Sequence, residues 1–374
     1  MVYLDYSATT PVLFDVLESY NKVTKEYLGN ANSLHKLGIN SKKLLESATL
    51  QISELFKVNY KEITYTSGAT ESNNMALKGI ADFYEGRGKH IIVSKLEHPS
   101  IYAICEYLQS KGYEISKVNN DKDGLIDLEE LKKLIRKDTI LVSICGVNSE
   151  MGIRQPLKTI RQVIKKANPN TFFHSDLTQA IGKIAVNLSD VDLASMSSHK
   201  VYGPKGIGIL YKKEHIEITP LISGTTNIDK LRPGTVPLPL IVALSKALRI
   251  ALIDIDKKTD SVKKLNEKIC LTLEELDGVL INKTNYSIPH ILNVSLSNIR
   301  PETFIHALEN HEIYIGTNTA CSSGDISASI LAVYNDKKRA LSSVRISISH
   351  ITTANEITRF LDAFAMEYNH LKDL

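Results

Sequence analysis

Lys200 is the residue around which a chemical function can be built. It lies in a loop containing Gly and Pro, between two apolar runs, 191–196 and 207–211, that are both predicted strands. A lysine in such a loop is either a solvated surface group or a nucleophile whose amine forms a Schiff base with an aldehyde cofactor. The loop alone does not decide between them. A cofactor site also needs a phosphate cup, a partner for a ring nitrogen and a group against the ring face.

The turn from a predicted strand into a predicted helix around Gly68 is a candidate phosphate cup. Gly68 lets the backbone come close to a ligand. The amides of Ala69 and Thr70 would open the helix, where unpaired N–H groups and the helix dipole attract an anion. The alternative is an ordinary helix cap formed by Ser67 or Thr70.

Polar side chains that suit a flat aromatic cofactor follow two further predicted strands. Asp176 follows a buried strand, and a carboxylate there can keep a pyridine nitrogen protonated, which makes the ring an electron sink. Gln179 can donate to a ring hydroxyl. His98 follows the strand 90–94 and can stack on the ring and shuttle protons near neutral pH. The alternatives are an Asp that caps the next helix and a structural histidine.

Two residues near the C-terminal end are candidates for acting on a substrate. Cys321 lies in a segment, 316–324, that is poor in large apolar residues, so we expect this cysteine to be exposed, as a nucleophilic thiol must be. Cys105 and Cys145 are predicted to pack as small hydrophobes. Arg345 lies in an alternating strand, and its partner is either an amino-acid carboxylate or a structural ion pair.

Composition bounds the class of protein. The chain has 374 residues, of which 43% are hydrophobic, enough for one large domain with a smaller one. Its 45 basic and 42 acidic residues give a net charge of +3, which is no argument for a nucleic-acid or membrane partner. The start of the chain lacks a signal-peptide pattern. Its four cysteines show no paired spacing, so we expect free thiols in a cytoplasmic enzyme, with no disulfide framework and no metal site.

Strands and helices alternate along much of the chain. From 62 to 211 the predicted strands are apolar and most are followed by a helix, which predicts a mostly parallel sheet covered on both faces. Ligands of such sheets bind at the carboxyl ends of the strands. A long helical pattern then runs over 239–276, and a smaller α+β unit follows. We expect the domain boundary inside this helix, near 250–260.

Taken in order along the chain, these signals resemble one family. The sequence is similar to the cysteine desulfurases of the NifS/IscS-like group, within the class V aminotransferases that have fold type I of the pyridoxal-phosphate enzymes. The similarity runs from Tyr3 to Thr352, nearly the whole chain. The segments that carry it are 3–11, 66–74, Glu97 with His98, Asp176 with Gln179, 199–208, 232–235, 320–324 and 342–345.

The resemblance implies an α/β fold and pyridoxal 5′-phosphate as the cofactor. A large cofactor-binding domain, 15–255, would hold a mostly parallel seven-stranded sheet flanked by helices. A smaller α+β domain, 1–14 and 256–374, would carry the catalytic cysteine loop. Lys200 would bind the cofactor as a Schiff base. The other implied contacts are Ala69, Thr70, Ser197 and His199 on the phosphate, with Thr235 from the other subunit of a homodimer; Asp176, Gln179, Ser149 and His98 on the ring; and Arg345 with Asn30 on the substrate carboxylate.

The implied reaction removes sulfur from L-cysteine, giving L-alanine and a persulfide on Cys321 for transfer to an acceptor protein. Lys200 would remove the α-proton of the substrate, and the Cys321 thiolate would attack its Sγ. The resemblance leaves the acceptor open. The candidates are a scaffold for iron–sulfur cluster assembly, a tRNA-thiolation enzyme, a cofactor-thiolation enzyme and a DNA-sulfur-modification system.

The sequence departs from the family pattern around the cofactor and the dimer edge. Ser149 stands where the family has an asparagine, and Thr225 and Thr226 stand in place of two glycines. Two alternatives therefore remain beside the desulfurase. One is a selenocysteine lyase or another class V aminotransferase or lyase. The other is a weakly active or silent paralogue that acts through partner binding, against which the intact lysine, cysteine and carboxylate motifs argue.

Overall fold

The computed structural model describes residues 1–224, 229–317 and 326–372, so Cys321, Thr225 and Thr226 lie outside the described residues. The strands of the described residues are β1 (Val2–Tyr3), β2 (Ile63–Thr66), β3 (His90–Ser94), β4 (Glu114–Val118), β5 (Thr139–Ser143), β6 (Phe172–Asp176), β7 (Leu193–Ser197), β8 (Gly208–Lys212), β9 (Val279–Asn282), β10 (Ile291–Leu296), β11 (Ile313–Tyr314) and β12 (Ser343–Ser347). The helices are α1 (Phe14–Glu26), α2 (Lys36–Phe56), α3 (Ala69–Phe83), α4 (Pro99–Ser110), α5 (Leu128–Leu134), α6 (Leu157–Ala167), α7 (Leu238–Leu252), α8 (Ile255–Glu274), α9 (Pro301–Glu309), α10 (Ala328–Tyr334), α11 (Lys337–Leu341) and α12 (Ala354–Lys372).

Seven strands form the central sheet, in the order β2-β8-β7-β6-β5-β3-β4. Strand β8 is antiparallel to both of its neighbours, and the other adjacent pairs are parallel. The predicted α/β fold with a mostly parallel seven-stranded sheet is therefore confirmed. Because β2 and β7 both pair antiparallel with β8, they run in the same direction, and their carboxyl ends lie at the same edge as those of β3 to β6.

Helices cover both faces of this sheet. Successive side chains of a strand point to opposite faces, and Ile92 of β3 packs in one hydrophobic cluster while Ile91 and Val93 pack in another. The same alternation separates Ala194 from Leu193 in β7. With both faces buried, the strands need apolar residues at almost every position, which is why they appear in the sequence as continuous apolar runs.

The C-terminal part of the chain has its own core. An antiparallel sheet with the order β12-β10-β9 packs with the parallel pair β1–β11, and Val2 and Leu4 join Phe304 and Phe364 in one cluster. The proposed division into 15–255 and a second domain of 1–14 with 256–374 stays a prediction that this separate core favours. Within the described residues, every helix is too short or too polar to cross a membrane.

The single long helix predicted over 239–276 is wrong. The structure has two helices, α7 and α8, which are separated at Ile253 and Asp254. Asp254 has φ +52°, in the left-handed region that a short polar side chain tolerates better than most. The helical pattern continues on both sides of this break, so the apolar spacing does not reveal it. The elements β9, α10 and α11 were not predicted.

Two strand ends approach so closely that glycine is required. A Cβ on Gly208, the first residue of β8, would lie 2.5 Å from the carbonyl oxygen of Met196 and 2.6 Å from Cα of Gly68. Both neighbours are backbone atoms held in the sheet or at its edge. The close approach of Gly68 to β8 sets the position of the turn that leads into α3.

Gly208→Ala is expected to destabilise the fold by about 1–3 kcal/mol, because the added methyl group displaces backbone on two sides. The measurement is the free energy of unfolding in urea. Gly86→Ala is the matched control, since a Cβ there meets nothing within 4 Å. Equal unfolding free energies for the two variants would contradict the close packing at Gly208.

Candidate active site

One edge of the central sheet collects the predicted cofactor residues. Asp176 is the last residue of β6, and Lys200 lies in a single 3₁₀ turn, Ser198–Lys200, directly after β7. The carboxyl ends of parallel strands meet at one edge of a sheet, where ligands bind. The residues delivered there are Gly68 to Thr70 after β2, His98 after β3, Ser149 after β5, Asp176 and Gln179 at and after β6, and Ser197 to Lys200 at the end of β7.

The first ten residues, called here the N-terminal arm, cross this edge. Lys200 Nζ donates to the carbonyl oxygens of Ser7 and Ala8, the latter at 2.7 Å. Thr10 joins the arm to the Lys200 loop from both directions, since its N–H donates to His199 O at 2.8 Å and its Oγ1 accepts from Tyr202 N at 2.7 Å. The arm therefore fixes the place of the lysine amine.

Asp176 is held by two donors. Its Oδ2 accepts from Asn73 Nδ2 at 2.9 Å, and its Oδ1 accepts from the backbone N–H of Thr178 at 3.0 Å. Asn73 comes from α3, and its amide also lies 3.1 Å from Ser100 Oγ. These contacts orient a buried carboxylate.

His98 is the residue before α4 and caps that helix. Its Nδ1 accepts from Ser100 N at 3.1 Å, so the neutral ring carries its hydrogen on Nε2. Burial by the surrounding protein lowers the pKa of His98, and the charge of Lys200 lowers it further while Asp176 opposes the shift. Asn73 Nδ2 donates to both Asp176 Oδ2 and Ser100 Oγ, and Ser100 Oγ lies 2.9 Å from His98 Nδ1, so hydrogen bonds link His98 to Asp176. The charge of Lys200 also acts on His98.

The start of α3 has the properties of an anion site. Gly68 is its N-cap, with φ +155° and no side-chain cap, so no side chain occupies the first amides of the helix. The Ser197 hydroxyl faces this point, 3.7 Å from where a Cβ of Gly68 would lie. The amides of Ala69 and Thr70, with the Ser197 hydroxyl, can hold a phosphate group.

His199 lies beside this point and is neutral. Its Nδ1 is 3.2 Å from Thr9 Oγ1. Burial lowers the pKa of His199 to about 4, and the charges of Lys200, Lys205 and Lys183 lower it as well. A neutral ring can supply one N–H donor to a phosphate oxygen.

Gln179 and Ser149 lie on the other side of Lys200. Gln179 Nε2 donates to Ser7 O at 2.9 Å, the same carbonyl oxygen that Lys200 contacts. The backbone carbonyl of Ser149 accepts from Arg345 Nη1 at 3.2 Å. Ser149 is therefore brought beside the predicted substrate-binding arginine.

Arg345 is almost fully buried in β12 and forms an ion pair. Its Nη2 lies 2.9 Å from Oδ1 of Asp5 in the N-terminal arm. Backbone hydrogen bonds in both directions join Arg345 to Gly316. The structural ion pair that the sequence left open is thus present, and it orients the guanidinium next to Ser149.

Three predicted site residues do not join this cluster in the described chain. Asn30 is exposed, and its Oδ1 accepts from Asn32 N at 2.9 Å within its own turn. Thr235 is also exposed on the single chain. Cys321 lies outside the described residues.

The three described cysteines are poor nucleophiles. Burial raises the pKa of Cys105 to about 12, raises that of Cys145 far above its usual range and raises that of Cys270 as well. The thiolate is the reactive form of cysteine, and these thiols keep their protons at neutral pH. The described part of the chain therefore offers no competitor to Cys321.

Several residues of the site were not predicted. Asn73 lies in the segment 66–74, which carries part of the family resemblance and contains the candidate phosphate cup. Its place in that segment could have marked it as a site residue. Asp5 and the carbonyls of Ser7 and Ala8 reach the site only through the path of the N-terminal arm. Lys183 gives no signal in the sequence, where it looks like any polar residue after a turn.

The residues present fit pyridoxal 5′-phosphate. The uncapped start of α3 suits its phosphate, the oriented carboxylate of Asp176 suits a protonated ring nitrogen, and Lys200 suits an aldehyde. The side-chain oxygen of Asn73, buried beside Asp176, has no hydrogen-bond partner among the described residues. An acceptor left open at this place agrees with a site built to receive a further polar group.

Comparison with known proteins extends the match to the whole chain. The model of the aminotransferase class-V family matches residues 2–360. A NifS/IcsS protein homolog of Lactobacillus delbrueckii subsp. bulgaricus is 41% identical over 382 residues, covering 100% of this chain and 99% of the relative. The cysteine desulfurase IscS of Buchnera aphidicola subsp. Acyrthosiphon pisum is 38% identical over 383 residues, covering 100% of this chain and 94% of the relative.

Solved structures agree with the sequence relatives. A structure named as a NifS-like protein superposes with a TM-score of 0.93 at 36% identity and covers 100% of both chains. The fold is therefore the one that NifS-like proteins have. The chain belongs to the aminotransferase class-V family, in its NifS/IscS-like group of cysteine desulfurases.

Proposed function

We propose that this chain is a pyridoxal-phosphate-dependent cysteine desulfurase that takes sulfur from L-cysteine and releases L-alanine. The observation that carries the proposal is the meeting of Lys200, Asp176 and His98 at the carboxyl edge of the sheet, beside the uncapped start of α3. This arrangement occurs in a chain whose whole length matches proteins named as cysteine desulfurases. Other class V chemistry, such as a selenocysteine lyase, has no separate observation in its favour.

The cofactor, when bound, supplies a ring that accepts electron density from the α-carbon of an amino acid. Asp176, whose carboxylate Asn73 and Thr178 N orient, would hold a proton on the ring nitrogen. Ala69, Thr70, Ser197 and His199 would hold the phosphate group. Gln179 and Ser149 would contact the ring hydroxyl.

Lys200 and His98 handle protons. The amine of Lys200 lies against the carbonyls of Ser7 and Ala8, where it can take a proton from the substrate α-carbon and return one. His98 is neutral at pH 7 because burial and Lys200 lower its pKa. It presents its ring face to the cofactor while its Nδ1 remains bound to Ser100 N.

Cys321 receives the sulfur. A bond forms between its Sγ and the Sγ of L-cysteine while the Cβ–Sγ bond of the substrate breaks. The carbon skeleton takes up the thiol proton and leaves as L-alanine, and Cys321 keeps the sulfur as a persulfide. Atoms and electrons balance without a further oxidant. An acceptor protein, either a scaffold or a thiolation enzyme, then removes the outer sulfur.

The substrate carboxylate is bound by Arg345, whose guanidinium Asp5 and the Ser149 carbonyl hold in place. The planar guanidinium of arginine matches the geometry of a carboxylate, so a buried and oriented arginine suits the α-carboxylate of an amino acid. Asn30 is the second proposed ligand of this carboxylate. Its exposed turn would have to close over the substrate.

The active form is a homodimer. Apolar side chains are exposed close together in the sequence between 14 and 39: Phe14 is 72%, Leu28 is 86% and Leu34 is 93% exposed on the single chain. Leu28 and Leu37 line one surface pocket, and exposed apolar side chains grouped on a surface favour a protein interface. Thr235, which is exposed, would reach the phosphate of the partner subunit. A cytoplasmic location also stays a prediction.

Cys321→Ala is expected to abolish release of alanine from L-cysteine in the presence of a thiol reductant, because no persulfide can form. The visible absorbance of the bound cofactor checks that the variant is loaded, and Lys200→Ala is expected to lose that absorbance. Cys270→Ala is the matched control and keeps full activity, since its thiol is buried in α8. Alanine release by a loaded Cys321→Ala would disprove the assigned role of the thiol.

Arg345→Gln is expected to raise KM for L-cysteine by about 10- to 100-fold, because a charge-assisted hydrogen bond to the carboxylate is lost. Steady-state kinetics of the loaded enzyme measure this change. Since the variant also leaves Asp5 unpaired, Asp5→Asn with Arg345→Gln tests whether the effect survives once that charge is removed. An unchanged KM in both variants would place the substrate carboxylate elsewhere.

Leu28→Glu combined with Leu34→Glu is expected to shift the protein from dimer to monomer, because two charges would be buried at the interface. Sedimentation velocity measures the mass. Leu271→Glu is the control, at an apolar side chain of α8 that is 67% exposed. A dimer that persists in the double variant would place the interface on another surface.

A further inference from the structure

Lys183 is a buried lysine that the function proposed above does not use. It lies in the turns after β6 and is only 6% exposed. Its Nζ donates to Gln179 Oε1 at 3.1 Å, and the hydroxyl of Thr259 donates to its backbone carbonyl at 2.8 Å. Among the described residues, no carboxylate forms an ion pair with Lys183.

The charged groups that face Lys183 are cationic or can become so. Burial lowers the pKa of Lys183 to about 7, and the charges of Lys200 and Arg345 lower it further. His290 also faces it, and burial together with the charge of Lys183 lowers the pKa of His290 to about 3. A buried cation with cationic neighbours and no carboxylate costs free energy of folding. A structural role therefore does not account for a lysine here.

Gln179 connects Lys183 with the cofactor site. While its Oε1 accepts from Lys183 Nζ, its Nε2 donates to the Ser7 carbonyl, which also accepts from Lys200 Nζ. A backbone carbonyl only accepts, and the amine of Lys183 carries N–H donors whether or not it is charged. One orientation of the Gln179 amide satisfies both neighbours, with its oxygen toward Lys183 and its N–H₂ group toward the Ser7 carbonyl.

We infer that Lys183 is a positioning residue that fixes the amide of Gln179 with its N–H₂ group toward the ring hydroxyl of the cofactor. The inference rests on the proposed function, in which Lys200 carries the cofactor and Gln179 contacts its hydroxyl. Without Lys183, the amide can turn its oxygen toward the ring oxygen, and two acceptors then face each other. Lys183 thus acts with the Ser7 carbonyl to set which end of the Gln179 amide faces the cofactor.

The first test is a pH titration of the visible absorbance of the bound cofactor. Lys183→Met is expected to raise the midpoint by about half a pH unit or more, because a donor near the ring oxygen is lost. In a Gln179→Ala background the same substitution is expected to have little effect, since no amide remains to be oriented. An unchanged midpoint, or equal shifts in both backgrounds, would overturn the inference.

Lys212→Met is the matched control for this titration. Lys212 is a buried lysine of β8 whose Nζ donates to the backbone carbonyls of Lys213 and Ile216, away from the site. Its substitution is expected to leave the midpoint unchanged. A shift as large as that of Lys183→Met would overturn the inference, because loss of any buried lysine would then be sufficient.

Gln179→Glu provides a second test of the inference, in which Lys183 is unchanged. The carboxylate keeps an acceptor for Lys183 but puts an oxygen where the N–H₂ group stood. This variant is also expected to raise the midpoint, and an unchanged midpoint would overturn the inference. If the wild-type protein shows no cofactor absorbance, the proposed function fails as well, whereas an unshifted midpoint in loaded variants removes only the role of Lys183.

Thermal unfolding of the cofactor-free protein separates positioning from packing. The unfolded chain keeps its lysine protonated to about pH 10, while burial lowers the pKa of Lys183 to about 7. The wild-type protein therefore gains stability as the pH rises between these values. Lys183→Met is expected to have a higher Tm than the wild type at pH 7, with the difference shrinking toward pH 10. A lower Tm at pH 7 would indicate a structural lysine and overturn the inference.

Discussion

The hydrogen bonds between the N-terminal arm and the Lys200 loop hold the site together. At one end the arm pairs with the C-terminal unit, where Val2 lies opposite Ile313 and Asp5 bridges to Ser347. At the other end its carbonyls contact Lys200 Nζ, and its Asp5 carboxylate holds Arg345. The arm therefore sets the distance between Lys200, the proposed cofactor lysine, and Arg345, the proposed substrate arginine, although the two belong to different parts of the chain.

Several titratable side chains of the site are uncharged at neutral pH. His98 and His199 are held neutral by burial and by nearby lysines. Glu97 is buried and accepts hydrogen bonds from Ser94 and from Cys145 N, and burial raises its pKa to about 8, so it too is uncharged at neutral pH. Lys200 and Arg345 contribute positive charge, which favours the binding of an anionic cofactor and an amino-acid carboxylate.

The sequence predicted the site best where a polar side chain directly follows an apolar strand. The apolar strands and the polar residue after each of them were enough to predict the sheet and to bring Asp176 and Lys200 to one edge. What escaped prediction depends on long-range geometry. The antiparallel direction of β8 cannot be read from its apolar run, and the break at Asp254 has no gap in its periodicity. The role proposed for Lys183 depends on its contact with the amide of Gln179, which only the folded structure shows.

The path of the N-terminal arm has a consequence for synthesis on the ribosome. The arm is translated well before its strand partner β11 and the residue it bridges, Ser347. Strand β2 likewise cannot pair until β8 has been translated, since Thr66 lies opposite Gly208. Contacts of such long sequence separation form slowly, and the incomplete chain leaves apolar surface uncovered meanwhile. The pocket around Lys200 therefore stays incomplete in the nascent protein until β11 and Ser347 have emerged, so the proposed cofactor site forms late in synthesis.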